Sequence, residues 1–123
     1  MENSVALWVG NFSDESALRS YVDLQYDDEG EATSPFAQDA GLEWYDEDLV
    51  EVMMIDPEDP LRRIGEATHA GSFVSRLQPL AAALTGRNAC ILLYDLEDEV
   101  DMRPGASVSF IGTFSYIKKE DSL

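Results

Sequence analysis

The residues best placed to do chemistry lie between Asp39 and Ile55, where Trp44 and Tyr45 directly precede three consecutive carboxylates, Asp46, Glu47 and Asp48, and Glu51 follows. Aromatic rings seek burial or a partner surface, whereas closely spaced carboxylates repel one another and stay in water unless a cation meets them. Such a stretch is either a solvated turn or a binding edge. Asp46 and Asp48 also have the spacing of acid pairs that clamp magnesium in phosphoryl transfer. Nucleotidyltransferases of that kind carry a Gly-Ser turn upstream of the pair, and here Gly71-Ser72 lies downstream. A calcium loop centred on Gly30 fails as well, because Gln25 would fill its first position and Phe36 its twelfth, where a bidentate Glu belongs. No phosphate-cradling glycine loop, nucleophile elbow or Cys–His pair is present. The single His69 has no second ligand at metal spacing, and the lone Cys90 sits in an apolar run that predicts a buried, inert thiol. These residues predict no catalytic site, no metal and no cofactor.

Charge narrows the partners. The 123 residues include 25 acidic and 8 basic ones, a formal net charge of −17. A field of that sign repels phosphates, which argues against nucleic acid and anionic membranes and favours cationic partners. The acids are also unevenly spread. Between Asp14 and Asp59 Arg19 is the one basic residue, Pro60 to Tyr94 has Arg62, Arg63, Arg76 and Arg87 against Glu66, and Asp95, Glu97, Asp98, Glu99 and Asp101 then crowd together. Two acidic clusters flanking a mildly basic segment predict a one-sided field. The opening MENSVALWVGN lacks the basic start of a signal peptide, and no window is long and apolar enough for a membrane span, so a cytoplasmic location is expected.

The elements that must position these residues follow from periodicity. Ser4 to Val9 is a short apolar run that predicts a first strand buried on both faces, with Trp8 in the core. Ser13 is placed to cap a helix carrying Leu18, Tyr21, Val22 and Gln25 on one face, and an acidic loop follows it. Ser34-Pro35 and Gly41 bracket a short helix over Pro35 to Ala40, and Leu49 to Ile55 predicts a strand. Pro57 to Gly71 reads as a loop. From Ser72 to Gly86 the spacing of Phe73, Leu77, Leu80, Ala81 and Leu84 predicts a helix kinked at Pro79. Ala89 to Tyr94 predicts a central strand. Ser107 to Ile117 alternates with period two, placing Val108, Phe110, Gly112, Phe114 and Tyr116 on one face. These last two strands are expected to pair as a hairpin with a long acidic tip. The result is a single α+β domain, a small mixed or antiparallel sheet with helices packed on one face, in the order β-α-(short α)-β-α-β-β.

The segments LWVGNFSDESALRSYVDLQYDDEG, FAQDAGLEWYDEDLVE, GSFVSRL and ACILLYDLED together resemble the immunity protein 22 family of bacterial polymorphic toxin systems. Their order and spacing carry the resemblance, above all Trp8 to Phe12 and Tyr45 to Asp48. The resemblance implies a small cytoplasmic α+β protein that is encoded beside a toxin and neutralises it by binding, with no reaction of its own. A nuclease toxin would present a basic groove that an acidic protein can occupy in place of phosphates. On that reading Asp46, Glu47, Asp48 and Glu51 stand in for phosphates, Trp44 or Tyr45 anchors the contact, Asp39 belongs to the same surface, and the second cluster (Asp95, Glu97, Asp98, Glu99, Asp101) helps steer encounter. The alternatives are an acidic regulator that mimics nucleic acid toward basic DNA-binding proteins, and a metal-dependent enzyme built on Asp46 and Asp48.

Overall fold

In the computed structural model, residues 3–42, 45–67, 70–96 and 99–116 are described; Trp44, His69, Glu97 and Asp98 lie outside them. Strand β1 (Asn3–Gly10) is followed by helix α1 (Glu15–Val22), the small strands β2 (Gln25–Tyr26) and β3 (Ala32–Thr33), and helix α2 (Pro35–Ala40). Strand β4 (Val50–Met54), helix α3 (Pro60–Ile64), helix α4 (Ala81–Leu84), and strands β5 (Ala89–Tyr94) and β6 (Val108–Tyr116) complete the order. Four strands form one antiparallel sheet in the spatial order β4-β5-β1-β6. The α+β class and the order of the main elements therefore agree with the sequence, and the sheet is antiparallel.

Strands β1 and β5 are central, which explains why both read as continuous apolar runs: alternate residues enter two separate cores. Val5, Leu7, Val9, Cys90, Leu92 and Tyr94 face one core, with Ile64, Phe73, Leu77 and Leu84 packed over them. Ala6, Trp8, Ile91 and Leu93 face the other, beneath Leu18 and Tyr21 of α1 and Phe36, Ala37 and Ala40 of α2. Helices thus cover both faces of the sheet, where the sequence predicted one. Trp8 is fully buried as expected, its ring set edge-on to Phe36 at 4.7 Å and its Nε1 donating to Met102 Sδ at 3.3 Å. Cys90 is buried too, and burial pushes its thiol well above its ordinary pKa.

Expectations for four segments are corrected. Asp14, and not Ser13, caps α1, its Oδ1 accepting from Ala17 N at 2.8 Å, and Gln25 leaves the helix for β2. The acidic loop after α1 is an ordered hairpin between β2 and β3: Asp27 Oδ1 accepts from the backbone of Glu29 and Glu31, both at 2.9 Å, and Gly30 takes φ +84°. Between Pro57 and Gly71 the chain forms α3, opened by Pro60 at its first turn. The helix expected from Ser72 is instead a 3-10 helix, Val74–Leu80, running into the short α4. Pro79 has no N–H to donate and biases Gln78 away from the α region, so tight i to i+3 turns replace the α-helix while Phe73, Leu77 and Leu84 still reach the core.

The closing strand departs most. Strand β6 pairs with β1 and not with β5. Because β5 and β6 both run antiparallel to β1, they are parallel to each other, and their connection must cross the length of the sheet, which no hairpin turn can do. What read as an acidic tip is this crossover, with Val100 and Met102 laid on the α1/α2 core. A bulge at Ile111 interrupts the alternation: Leu7 pairs with Gly112 and Trp8 with Phe110. Val108 and Phe110 therefore face one core while Phe114 and Tyr116 face the other, correcting the expectation of a single face.

Candidate functional site

The acidic stretch after α2 is built from a buried residue outward. Ser34 caps α2 by accepting from Ala37 N at 2.9 Å, and Gly41 ends it in the left-handed conformation, φ +70°. Tyr45 then turns inward, and only 3 % of it is exposed. Its ring packs at 5.5 Å from Phe36, and its hydroxyl donates to the Val22 carbonyl and lies 2.8 Å from Ser34 Oγ. Burial pushes the Tyr45 phenol up to about 12, against the Ser34 hydrogen bond and helped by Glu47 and Asp23. Tyr45 is a structural post, and its proposed part as a surface anchor is corrected.

With Tyr45 held inside, the next residues are thrown into solvent. Asp46, Glu47 and Asp48 are exposed on a 3-10 turn, Glu47–Leu49, that Asp46 caps by accepting from Asp48 N at 2.9 Å. Among the described residues none of the three forms an ion pair. The turn feeds into β4, so these acids stand at the end of the sheet where β5 finishes, as the pairing of Val50 with Leu93 requires. Asp95, immediately after β5, lies at the same end, partly buried, in a left-handed conformation at φ 58°, with Oδ1 accepting from Tyr116 at 2.9 Å. Two of the regions singled out from sequence thus share one end of the molecule. Glu51, the second residue of β4, accepts from the Tyr94 hydroxyl at 2.8 Å.

Asp39 is elsewhere. It is only 4 % exposed, so it offers no face to a partner, and its place in the binding surface is corrected. Tyr21 Oη donates to its Oδ2 and Arg103 Nη2 to its Oδ1, each at 2.5 Å, while Ser107 N reaches Oδ2 at 3.3 Å. Burial alone would raise the carboxyl; these hydrogen bonds and the Arg103 charge outweigh it and hold Asp39 below the ordinary carboxylate range. Backbone bonds from Arg103 N to Asp39 O and from Asp101 N to Ala40 O complete a seam between the crossover and α2.

Sequence reasoning missed two features beside the exposed acids. Tyr26, at the β2 hairpin, is 64 % exposed, and its hydroxyl lies 3.4 Å from Glu47 Oε1. The charge of Glu47 raises this phenol above its ordinary value. Its cue was its place among carboxylates, as for Tyr45, but only the fold tells which tyrosine turns outward. The second feature is an open cleft of about 730 Å3 between α1 and β4, lined by Glu15, Arg19, Asp23, Glu47 and Val52 among others. Arg19, its one base, is 3.7 Å from Glu15. Among the described residues no three His, Cys, Asp or Glu side chains gather as metal ligands would, and no helix is long and apolar enough to cross a membrane.

Fold and surface together define a small antiparallel α+β domain with a carboxylate-rich end and an acidic cleft. The chain belongs to the Immunity protein 22 family, whose match spans residues 5–117, and membership carries an immunity-protein role. No curated protein and no solved structure matches it.

Proposed function

We propose that this protein neutralises a cognate bacterial toxin domain by stoichiometric binding through the acidic end of the sheet, and carries out no reaction itself. The observation that carries this reading is the exposed Asp46, Glu47 and Asp48 turn, three carboxylates without an ion-pair partner among the described residues. Holding like charges together raises self-repulsion, and a basic partner relieves it. Glu51 and Asp95 extend the charge at the same end, and Tyr26 supplies an exposed aromatic beside it. A nuclease is the toxin that fits best, because a surface that receives phosphates is itself cationic. The site of action is the cytoplasm, where such a toxin would meet its substrate.

The test is binding of the toxin domain encoded in the neighbouring reading frame. Reversing charge at Asp46 and Asp48 to lysine is expected to slow association at least tenfold, with steep salt dependence in the unaltered protein. Loss of the Asp46 cap costs about 1 kcal/mol, too little to unfold the domain. Unchanged association of the double variant, or association indifferent to salt, defeats the proposal. Equal competition against several unrelated basic proteins would instead indicate a general nucleic-acid mimic.

A further inference from the structure

The sheet has two edges, and the fold treats them differently. Strand β6 is broken by the Ile111 bulge, and the Arg76 guanidinium clasps the carbonyl of Ser115 while also donating to the carbonyl of Ser72 at 2.8 Å. Such devices blunt an edge against further pairing. Strand β4, the other edge, pairs with β5 in unbroken register from Val50 to Met54. Two backbone bonds set the phase of that ladder. Asp95 N donates to Ser4 O at 2.6 Å, so alternate residues of β5 back from Asp95 face β1, and Cys90 and Leu92 face β4. Ile55 N donates to Asn88 O at 2.8 Å, which gives the same phase from the other end. Glu51 and Met53 therefore spend their backbone groups on β5, and those of Val50, Val52 and Met54 point away from the sheet. The Val50 N–H is taken by the Glu47 carbonyl; for Val52 no partner outside the sheet exists among the described residues.

This open edge is one wall of the cleft, and the exposed side of α1 is the other. We infer that an extended, basic segment of the toxin adds to the sheet alongside β4, its backbone bonding to Val52 and its lysine or arginine side chains, at every second position, entering the cleft. The occupant follows from charge. Asp23 and Glu47 line the cleft, and Arg19, its one base, is paired with Glu15. An acidic strand would be repelled, and so would a second copy of this chain at −17. An added strand gains main-chain hydrogen bonds irrespective of sequence, while alternate side chains supply specificity. The inference rests on the proposed neutralising role and adds the mode of engagement.

Two variants and one direct readout test it, all with the full chain and the toxin domain of the neighbouring reading frame. Val52→Pro removes the outward N–H and leaves the β5 ladder intact, a substitution that edge strands tolerate. Ser20→Arg, on the exposed face of α1, puts bulk and positive charge into the cleft without touching either core. Each is expected to weaken binding at least tenfold. Amide exchange at Val52 is expected to slow at least tenfold in the complex, while that at Met53, bonded within the sheet, changes little. Tight binding by both variants, with Val52 exchanging as in the free protein, overturns the strand addition and leaves the neutralising role standing. Slow exchange at Val52 that depends on the concentration of the free protein assigns the edge to self-association and overturns it too. Failure of the unaltered protein to bind or protect removes both.

Discussion

Asp39 shows how one residue type can carry opposite meanings. In a chain with 25 acidic side chains any carboxylate is a candidate for the surface, yet this one is enclosed by Tyr21, Arg103 and the backbone of Ser107. Asp39→Ala strands the Tyr21 hydroxyl and an amide while leaving Arg103 in water, so a loss of roughly 1–3 kcal/mol in urea unfolding is expected. The pH dependence has a definite sign. The folded carboxyl is depressed, so its contribution is complete above the unfolded value near ~4 and disappears as pH falls through the lower folded value. The Ala variant should accordingly lose part of the acid limb of the stability profile. The tyrosines act at the other end of the scale. Burial raises Tyr45 to about 12 and Tyr21 further, so their contribution is present below the unfolded value near ~10 and fades as pH climbs through the folded ones. Denaturant midpoints between pH 9 and 12 should fall together with the rise of tyrosinate absorbance, and Tyr45→Phe, at a cost of about 1 kcal/mol at neutral pH, should soften that fall.

At the scale of elements, the joint between α2 and the crossover is a tight one. Gly41 has φ +70°, and a Cβ there would stand 2.8 Å from the Asp101 carbonyl oxygen. Gly41→Ala meets strain and collision together, and a loss of about 2 kcal/mol or more is expected in thermal or chemical unfolding, well beyond an ordinary glycine replacement. This joint also shows what the sequence could and could not reveal. Ser34, Pro35 and Gly41 announced α2 through local chemistry, and β1, β4 and β5 were readable from apolar runs because strand burial leaves a local trace. The partner of β6 left none: a turn-rich acidic segment between two strands has the same composition whether it turns back or crosses over. The Ile111 bulge is likewise invisible to periodicity, since an extra residue shifts the face without changing residue types. Asp46, Glu47 and Asp48 were legible as exposed because adjoining carboxylates repel one another and stay in water; Tyr45 was misplaced because its partners, Val22, Ser34 and Phe36, come from other elements.

Across the whole molecule, charge is organised by the sheet. The turn before β4 and the residue after β5 bring acids from distant parts of the chain to one end. A field assembled this way acts at a distance, so raising ionic strength from about 0.05 M to about 0.5 M is expected to slow toxin association by at least tenfold while changing dissociation much less. Stopped-flow measurement at several salt concentrations separates the two rates. The Asp46, Glu47 and Asp48 side chains are themselves exposed, so their charges can be exchanged at a cost of about 1 kcal/mol, that of the Asp46 cap.

The central place of β1 has one further effect. Its neighbours on either side, β5 and β6, are the last two strands of the sheet in sequence, so β1 leaves the ribosome well before either partner does. Pairing over such sequence distances is slow and cannot begin domain by domain during translation. A nascent copy therefore keeps one side of its central strand unpaired until Val108–Tyr116 has been made, and the whole sheet closes late.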